Sequence, residues 1–295
     1  MTRKTANDFD PEVLRLFDKY VHGDISRRDF LQSAVRFAVG VSAVALLDAL
    51  NPRFAEAQQV AGDDPRIRAT YVEYPSPRGY GKVRGYLAQP AEPEGKLPAV
   101  LVVHENRGLN PHIEDIARRL ALDNYIAFAP DALYPLGGYP GDEDKARELF
   151  PKLDQAKTRE DFVAAFGVLK RLIAGNGKVG VVGFCYGGGM ANFLATRLPD
   201  LDAAVPFYGA HAAIEDVPRI KAPLMLHFAE NDERINAGWP KYESALIEAD
   251  VDYLAFIYPG AQHGFNNDTT PRFDEAAAAL AWKRTLGFLE LHLRS

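Results

Sequence analysis

The chain has 295 residues, 47% of them hydrophobic and 25% charged, with a net charge of −6; this is ordinary for a globular protein with one sizeable core. Its body has no dense run of Lys and Arg, so a nucleic acid partner is not expected. The single cysteine, Cys185, excludes an intramolecular disulfide framework and a cysteine-rich zinc site. It is therefore either a buried apolar side chain or a reactive thiol.

The first 57 residues predict an N-terminal leader. Residues 26–31 place two adjacent arginines just before a moderately apolar stretch, 37–47, which is typical of a twin-arginine export signal. Residues 55–57 form a small-x-small cleavage site. The alternative is a set of ordinary N-terminal helices, because residues 9–20 are amphipathic. We therefore expect export to the periplasm by the twin-arginine route, with a cytoplasmic protein as the alternative and no stable membrane span.

From residue 58 onward, strand-like and helix-like segments alternate. Residues 69–74 and 82–87 predict a hairpin, and Asn110 with Pro111 begins a helix over 113–122. Thr158 and Asp161 form a capping box that predicts a helix reaching residue 173. Further strands are predicted at 99–103, 125–129, 179–184, 203–208, 223–228 and 253–258, and further helices at 239–248 and 273–293. This alternation predicts an α/β fold with a mostly parallel sheet, helices on both faces and an active site beyond the carboxyl ends of the strands.

Cys185 lies in the sequence Gly183-Phe184-Cys185-Tyr186-Gly187, between a predicted strand and a predicted helix. This pattern is typical of a nucleophile elbow, where a sharp turn exposes the side chain and glycines permit close backbone approach. The amino terminus of the following helix favours a thiolate. The alternatives are a buried structural cysteine and a nucleotide loop, but neither usual glycine pattern of a nucleotide loop is present. The sequence therefore predicts a cysteine nucleophile.

A base and an acid should follow the nucleophile along the chain. Four histidines do so: His211, His227, His263 and His292. His263 lies in a loop after the last predicted strand, where proton transfer in a cleft is feasible, whereas His227 lies inside an apolar strand. Asp232 follows an earlier strand and would orient the imidazole. Glu230 and Glu233 are the competing acids.

With these residues placed, the chain resembles the dienelactone hydrolase (carboxymethylenebutenolidase) family from about residue 71 to the C-terminus. The cysteine elbow at 183–188, the Asp232 loop and the stretch 260–265 carry the resemblance. The elbow is the most specific, since most α/β-hydrolases use serine. The resemblance implies an α/β-hydrolase fold for residues 58–295 and cleavage of a small ester or lactone without metal or organic cofactor. The leader resembles that of a longer bacterial branch of the family.

The resemblance also implies roles for the loop after the third strand. Glu105 would contact the resting thiol and gate its activation. The backbone N–H groups of Asn106 and Tyr186 would form the oxyanion hole, and His104 would be structural.

One departure from the family concerns two arginines that hold the lactone carboxylate in its chlorocatechol-pathway enzymes. Here the corresponding places are Asn267 and the loop 133–138, and neither offers a cation. Arg107 is a candidate substitute. Candidate pocket residues are Tyr134, Tyr208, His211 and Trp239. Alternative functions are a general short-chain carboxylesterase or thioesterase, a non-catalytic binding protein and a redox enzyme, while the sequence leaves open a monomer or a homodimer.

Overall fold

The computed structural model describes residues 4–38 and 40–294, and its centre is an eight-stranded sheet with the order β1-β2-β4-β3-β5-β6-β7-β8. The strands are β1 (Ile67–Ser76), β2 (Gly81–Pro90), β3 (Leu97–Val103), β4 (Ile126–Pro130), β5 (Gly175–Phe184), β6 (Ala203–Phe207), β7 (Leu224–Asn231) and β8 (Tyr253–Gln262). β1 and β2 form an antiparallel hairpin, and β2 is antiparallel to β4. From β4 to β8 all neighbours are parallel, so the predicted hairpin and mostly parallel sheet are confirmed.

Helices cover both faces of the sheet, as the alternation of segments predicts. The helices are α1 (Pro11–His22), α2 (Arg27–Ala34), α3 (Ala43–Leu50), α4 (Phe54–Ala57), α5 (Pro111–Leu122), α6 (Glu143–Leu149), α7 (Gln155–Lys170), α8 (Tyr186–Arg197), α9 (Glu233–Asn236), α10 (Trp239–Glu248) and α11 (Glu275–Leu293). Short 3-10 helices lie at Ala6–Asp8, Val35–Phe37, Tyr134–Leu136, Phe150–Lys152 and Ile214–Arg219. α5 and α11 pack on one face of the sheet, and α7, α8 and α10 pack on the other.

The start of α7 differs from the prediction. The helix begins at Gln155, because the Asp154 side chain accepts hydrogen bonds from the first backbone N–H groups of the helix. Thr158 is already inside the helix, and its hydroxyl donates to the carbonyl of Asp154. Asp161 accepts a hydrogen bond from the N–H of Tyr80. The capping box predicted from Thr158 and Asp161 is therefore wrong.

Residues 4–57, apart from residue 39, form a unit that we call the N-terminal segment. Its helices α1, α2 and α3 enclose a small core that contains Phe17, Phe30 and Leu47. The predicted apolar stretch 37–47 is not one helix, because the 3-10 turn Val35–Phe37 precedes it and α3 begins at Ala43; residue 39 of that stretch lies outside the described residues.

The two arginines of the predicted export motif begin α2. Arg27 is the first residue of the helix, and its guanidinium contacts the carboxylate of Asp144, which lies in the sheet-containing part of the chain. Among the described residues, no helix has both the length and the apolar composition that crossing a bilayer requires. Export by the twin-arginine route stays a prediction.

Candidate active site

Cys185 stands between β5 and α8 with a positive φ of 54° and ψ of −110°. This backbone conformation is rare and strained for a residue with a side chain. The turn is closed by the hydrogen bond from the N–H of Cys185 to the carbonyl of Phe207, at 3.1 Å. A Cβ atom on Gly183 would lie 1.9 Å from the carbonyl oxygen of Gly187, and one on Gly187 would lie 2.2 Å from that of Val103. The elbow therefore requires glycine at both positions.

His263 and Asp232 reach the same edge of the sheet, because they follow the neighbouring parallel strands β8 and β7. Nδ1 of His263 lies 2.5 Å from Oδ2 of Asp232, and both side chains are buried. A ring nitrogen of His263 lies within 4.8 Å of Sγ of Cys185. The structure thus brings together the three residues that the sequence assigns to nucleophile, base and orienting acid.

The surroundings of the sulfur favour an ion pair. Burial raises the pKa of Cys185, but the nearby charge of His263 and a hydrogen bond with His22 outweigh it and lower this pKa overall. Burial lowers the pKa of His263, but the Cys185 charge and the hydrogen bond to Asp232 raise it overall. The geometry therefore favours a thiolate beside an imidazolium, which is the reactive form of a cysteine nucleophile.

A second imidazole, that of His22, also reaches the sulfur. His22 precedes Cys185 in the sequence, whereas His263 follows it. His22 ends α1 in the N-terminal segment, and its Nε2 lies 3.5 Å from Sγ of Cys185. The rings of His22 and His263 meet edge to face with centroids 4.8 Å apart. The sequence does not single out His22, because the first 57 residues are interpreted as a leader and no motif includes this residue.

Glu105 differs from the expectation that it contacts the thiol. Its carboxylate accepts a hydrogen bond of 2.8 Å from the side-chain amide of Asn267. Glu105 lines a small cavity of about 40 Å³ beside Cys185. The side chain within hydrogen-bonding distance of Sγ is that of His22, so α1 supplies the contact that we expected from Glu105.

The two expected oxyanion-hole residues border a larger cavity of about 440 Å³ that ends at Cys185. Tyr186 is the first residue of α8, so its N–H has no partner inside the helix. Asn106 lies in the loop after β3. Its side chain donates a hydrogen bond of 2.9 Å to the carbonyl of Val21. His104 is structural, as expected: it is fully buried and its Nε2 accepts from the N–H of Ala132.

Two of the other candidate pocket residues border the larger cavity, namely His211 and Tyr208. Tyr134 and Trp239 border neither cavity. The Tyr134 hydroxyl donates to Glu73, and the Trp239 ring packs on Phe228 with centroids 4.8 Å apart. The structure therefore does not bring either side chain to the cavities beside Cys185, and a substrate-binding role for them stays a prediction.

Arg107 is also placed differently from its prediction as a substrate ligand. Its side chain is buried, and its guanidinium donates to the side chain of Asn106 and to the carbonyl of Val21. It also lies 3.6 Å from Glu143. The cations that border the larger cavity are instead Arg159 and Arg234. Each stands at a helical position where an arginine is ordinarily a solvated charge, so the sequence offers no signal for them.

His22, Cys185 and His263 are also the one cluster of three or more His, Cys, Asp or Glu side chains spaced for a metal ion in the described part of the chain. Nδ1 of His263 lies 2.5 Å from the Asp232 carboxylate, and a ring nitrogen of His263 lies within 4.8 Å of Sγ. This arrangement also suits an acid–base pair.

Comparisons with known proteins cover both parts of the chain. The family model described as the dienelactone hydrolase family matches residues 83–293, and one described as YqhI-like matches residues 1–38. A "putative carboxymethylenebutenolidase" of Saccharolobus solfataricus is 34% identical over 244 residues, which is 70% of this chain and 93% of that protein. The "putative hydrolase fragment YghX" of Escherichia coli is 60% identical over 114 residues, which is 39% of this chain and 97% of the fragment. The crystal structure of a "putative dienelactone hydrolase" from Klebsiella pneumoniae has a TM-score of 0.67 at 28% identity, covering 75% of this chain and 98% of that one.

Proposed function

The chain belongs to the dienelactone hydrolase family and is a carboxylic ester hydrolase with the α/β-hydrolase fold, and we propose that it cleaves an ester or lactone through a thioester on Cys185. The observation that carries this proposal is the buried cluster at the carboxyl ends of β5, β7 and β8. There a strained elbow presents the sulfur to His263, which Asp232 holds at Nδ1 with a 2.5 Å contact. These are the groups that nucleophilic acyl transfer requires.

In the acylation half-reaction, the thiolate of Cys185, whose proton His263 already holds, attacks the carbonyl carbon. A carbon–sulfur bond forms, and the carbonyl oxygen becomes an oxyanion that accepts hydrogen bonds from the backbone N–H groups of Tyr186 and Asn106. Each such donor contributes about 3 kcal/mol to stabilisation of the transition state. The carbon–oxygen bond to the leaving group then breaks, and His263 returns the proton to the departing oxygen.

In the deacylation half-reaction, His263 takes a proton from water, and the hydroxide oxygen attacks the thioester carbonyl. The carbon–sulfur bond breaks, the acid product leaves, and the thiolate is restored. Asp232 keeps the imidazole in the tautomer that presents Nε2 to the reacting atoms and stabilises the imidazolium. No change of oxidation state occurs, so the residues named suffice for the chemistry.

The larger cavity supports a small substrate with a carboxylate. Its apolar wall includes Met190, Phe193 and Ile235, which suits a short carbon skeleton. Arg159 and Arg234 border the same cavity, and the Arg159 guanidinium lies 4.8 Å from the centre of the Phe193 ring. A planar guanidinium binds a carboxylate in a two-pronged geometry. We therefore propose that these two arginines replace the cations absent at Asn267 and at the loop 133–138, as the substrate name of the relatives suggests.

A general short-chain carboxylesterase is the second candidate, and it is favoured by the exposure of both arginines at the cavity mouth. The discriminating experiment measures hydrolysis of p-nitrophenyl acetate and of a dienelactone by the wild type, Cys185→Ala and Arg159→Ala. We expect Cys185→Ala to lose both activities by at least about 10³-fold. Arg159→Ala should raise KM for the dienelactone alone, because only that substrate carries a carboxylate. Equal activity of the wild type and Cys185→Ala would disprove the thioester mechanism, and equal KM values in Arg159→Ala would favour the esterase.

A further inference from the structure

We propose that His22 of the N-terminal segment is a further catalytic residue, a second proton acceptor for Cys185 that works beside His263. The proposal rests on the proposed function only in taking Cys185 as the nucleophile. Residue 22 lies outside residues 83–293, the part of the chain that the family model matches. The shared hydrolase fold therefore does not supply this imidazole, and α1 does.

Each of the two histidines has a ring nitrogen within 4.8 Å of the sulfur and an aspartate beside its Nδ1. His263 has Nδ1 at 2.5 Å from Asp232, and His22 has Nδ1 at 3.3 Å from a carboxylate oxygen of Asp18 and 2.8 Å from its carbonyl oxygen. Since a carbonyl only accepts hydrogen bonds, Nδ1 of His22 carries a proton, and the lone pair of Nε2 lies within reach of both Sγ of Cys185, at 3.5 Å, and Nη2 of Arg234, at 2.9 Å. Two histidine–aspartate pairs therefore converge on one thiol.

Contacts with residues 58–294, which we call the catalytic domain, fix the position of His22. The carbonyl of the preceding residue, Val21, accepts hydrogen bonds from Asn106 at 2.9 Å and from Arg107 at 3.0 Å. Arg272, which follows the catalytic histidine in the chain, lies 3.3 Å from the Asp18 carboxylate. The loop that is expected to form the oxyanion hole thus holds the end of α1 in place, and a side chain beyond β8 orients the acid of the second pair.

The charged groups around His22 allow it to hold a proton. On its own helix it faces Asp18, and from the other elements it faces Cys185, His263 and Arg234. Glu105, Arg107 and Arg272 border the small cavity on the same side of the sulfur. Burial lowers the pKa of His22, but the hydrogen bonds with Asp18 and Cys185 raise it overall. The site therefore favours an imidazolium despite the nearby guanidinium of Arg234.

The step is a proton transfer that balances without any further reactant. The S–H bond of Cys185 breaks and an Nε2–H bond forms on His22, while the electron pair stays on the sulfur. The guanidinium of Arg234, whose Nη2 lies 2.9 Å from Nε2, gives up that hydrogen bond and turns to the cavity that it borders. The new imidazolium is paired with Asp18 on one side and with the thiolate on the other, so a larger fraction of the enzyme holds a reactive sulfur.

The test measures the rate at which iodoacetamide alkylates the full-length protein across a range of pH. Cys185 is the only cysteine, so the midpoint of the rate curve reports its thiolate alone. We expect His22→Ala to raise the midpoint by about one pH unit, which is about a tenfold lower rate below the midpoint. Asp18→Asn should raise it by less. Lys19→Ala, an exposed residue on the same helix, is the matched control and should leave the midpoint unchanged.

His22→Gln separates proton transfer from packing, because glutamine fills similar space and forms hydrogen bonds but takes no proton. We expect its midpoint to match that of His22→Ala. A wild-type midpoint in His22→Gln, or an unchanged or lower one in His22→Ala, overturns the proposal. If circular dichroism shows that His22→Ala does not fold, His22→Gln and Asp18→Asn decide. Alkylation needs no ester, so a wild type that hydrolyses no substrate would refute the proposed function and leave this result to stand separately.

Discussion

The catalytic domain and the N-terminal segment each direct a histidine–aspartate pair to the same sulfur, but they hold these pairs in different ways. In the domain, Asp232 and His263 follow two neighbouring parallel strands, so buried hydrogen-bonded backbone sets their separation. In the segment, Asp18 and His22 lie one turn apart on the single helix α1. The sheet therefore fixes its pair directly, whereas the second pair depends on how α1 is held against the domain.

The attachment of the segment is largely polar. Its apolar side chains form a core of their own around Phe30, separate from the two cores that flank the sheet. Contacts to the domain include the carbonyl of Val21, the carboxylate of Asp18 and the N–H of Arg53, which donates to the carbonyl of Thr269. Net contributions of such hydrogen bonds are about 1 kcal/mol each. One half of the site is thus built into the fold, and the other half is docked onto it.

Asp232→Asn is expected to have the largest effect, because it alters the pair that is built into the fold. An amide at this position supports the wrong tautomer of His263, and kcat should fall by about 10³-fold to 10⁴-fold while the fold persists. The measurement is steady-state hydrolysis of p-nitrophenyl acetate. Glu233→Gln, the exposed next residue at the start of α9, is the control and should retain full activity. An equal loss of activity in both variants would show that Asp232 does not orient His263. The pair in the domain would then have no larger effect on activity than an exposed neighbouring charge.

The same contrast explains what the sequence could predict. Cys185, Asp232 and His263 each follow an apolar strand, and parallel strands bring their carboxyl ends to one edge, so a local pattern was enough to place them together. His22 is 163 residues from Cys185, and nothing in the strand pattern relates them. Docking of α1 depends on single polar contacts, such as Arg107 to Val21, that leave no periodic signal.

Other misplaced residues have equally local causes. Residue type and position near strand ends predict that Tyr134 and Trp239 line the pocket. Instead, the Tyr134 hydroxyl donates to Glu73, and the Trp239 ring packs on Phe228. Arg159 was not predicted at all, because an exposed arginine in a helix is ordinarily a solvated charge. Side-chain direction at the cavity, which decides these cases, is a tertiary property.

Removing one fully buried phenylalanine from each region is the next largest change. Phe162 lies in the core between the sheet and α7, and Phe30 lies in the core of the N-terminal segment; both are 0% exposed. Phe162→Ala should lower the free energy of unfolding of the whole protein by about 3 to 5 kcal/mol. Phe30→Ala should instead accelerate hydrogen exchange only in the segment, because its core is separate. Hydrogen exchange followed by mass spectrometry checks both, and global loss of protection in Phe30→Ala would show that the two regions unfold together.

The smallest expected effect concerns Asp268, a residue after β8 that contacts Gln59, close to where the chain passes from the segment into the domain. Its carboxylate accepts a hydrogen bond of 2.8 Å from Gln59 and lies 3.2 Å from Nδ1 of His112. Burial raises the pKa of Asp268, but the hydrogen bond with His112 and the charges of His112 and Arg119 lower it overall to about 2. Because this pKa lies below that of the unfolded chain, the carboxylate contributes stability above about pH 4 and loses it as the pH falls towards 2.

Asp268→Asn should therefore cost about 2 kcal/mol of unfolding free energy at pH 7 and progressively less in acid. Asp131 offers a matched control of opposite sign, because burial raises its pKa to about 6 despite the hydrogen bond from Arg84. For Asp131, stability is lost as the pH rises from about 4 to 6. Over that range the free energy of unfolding of the wild type should fall relative to that of Asp131→Asn. Urea denaturation between pH 3 and 7 measures both differences. A difference for Asp268→Asn that stays constant with pH would mean that the junction is held by shape and neutral hydrogen bonds, and that charge does not anchor the segment where it joins the domain.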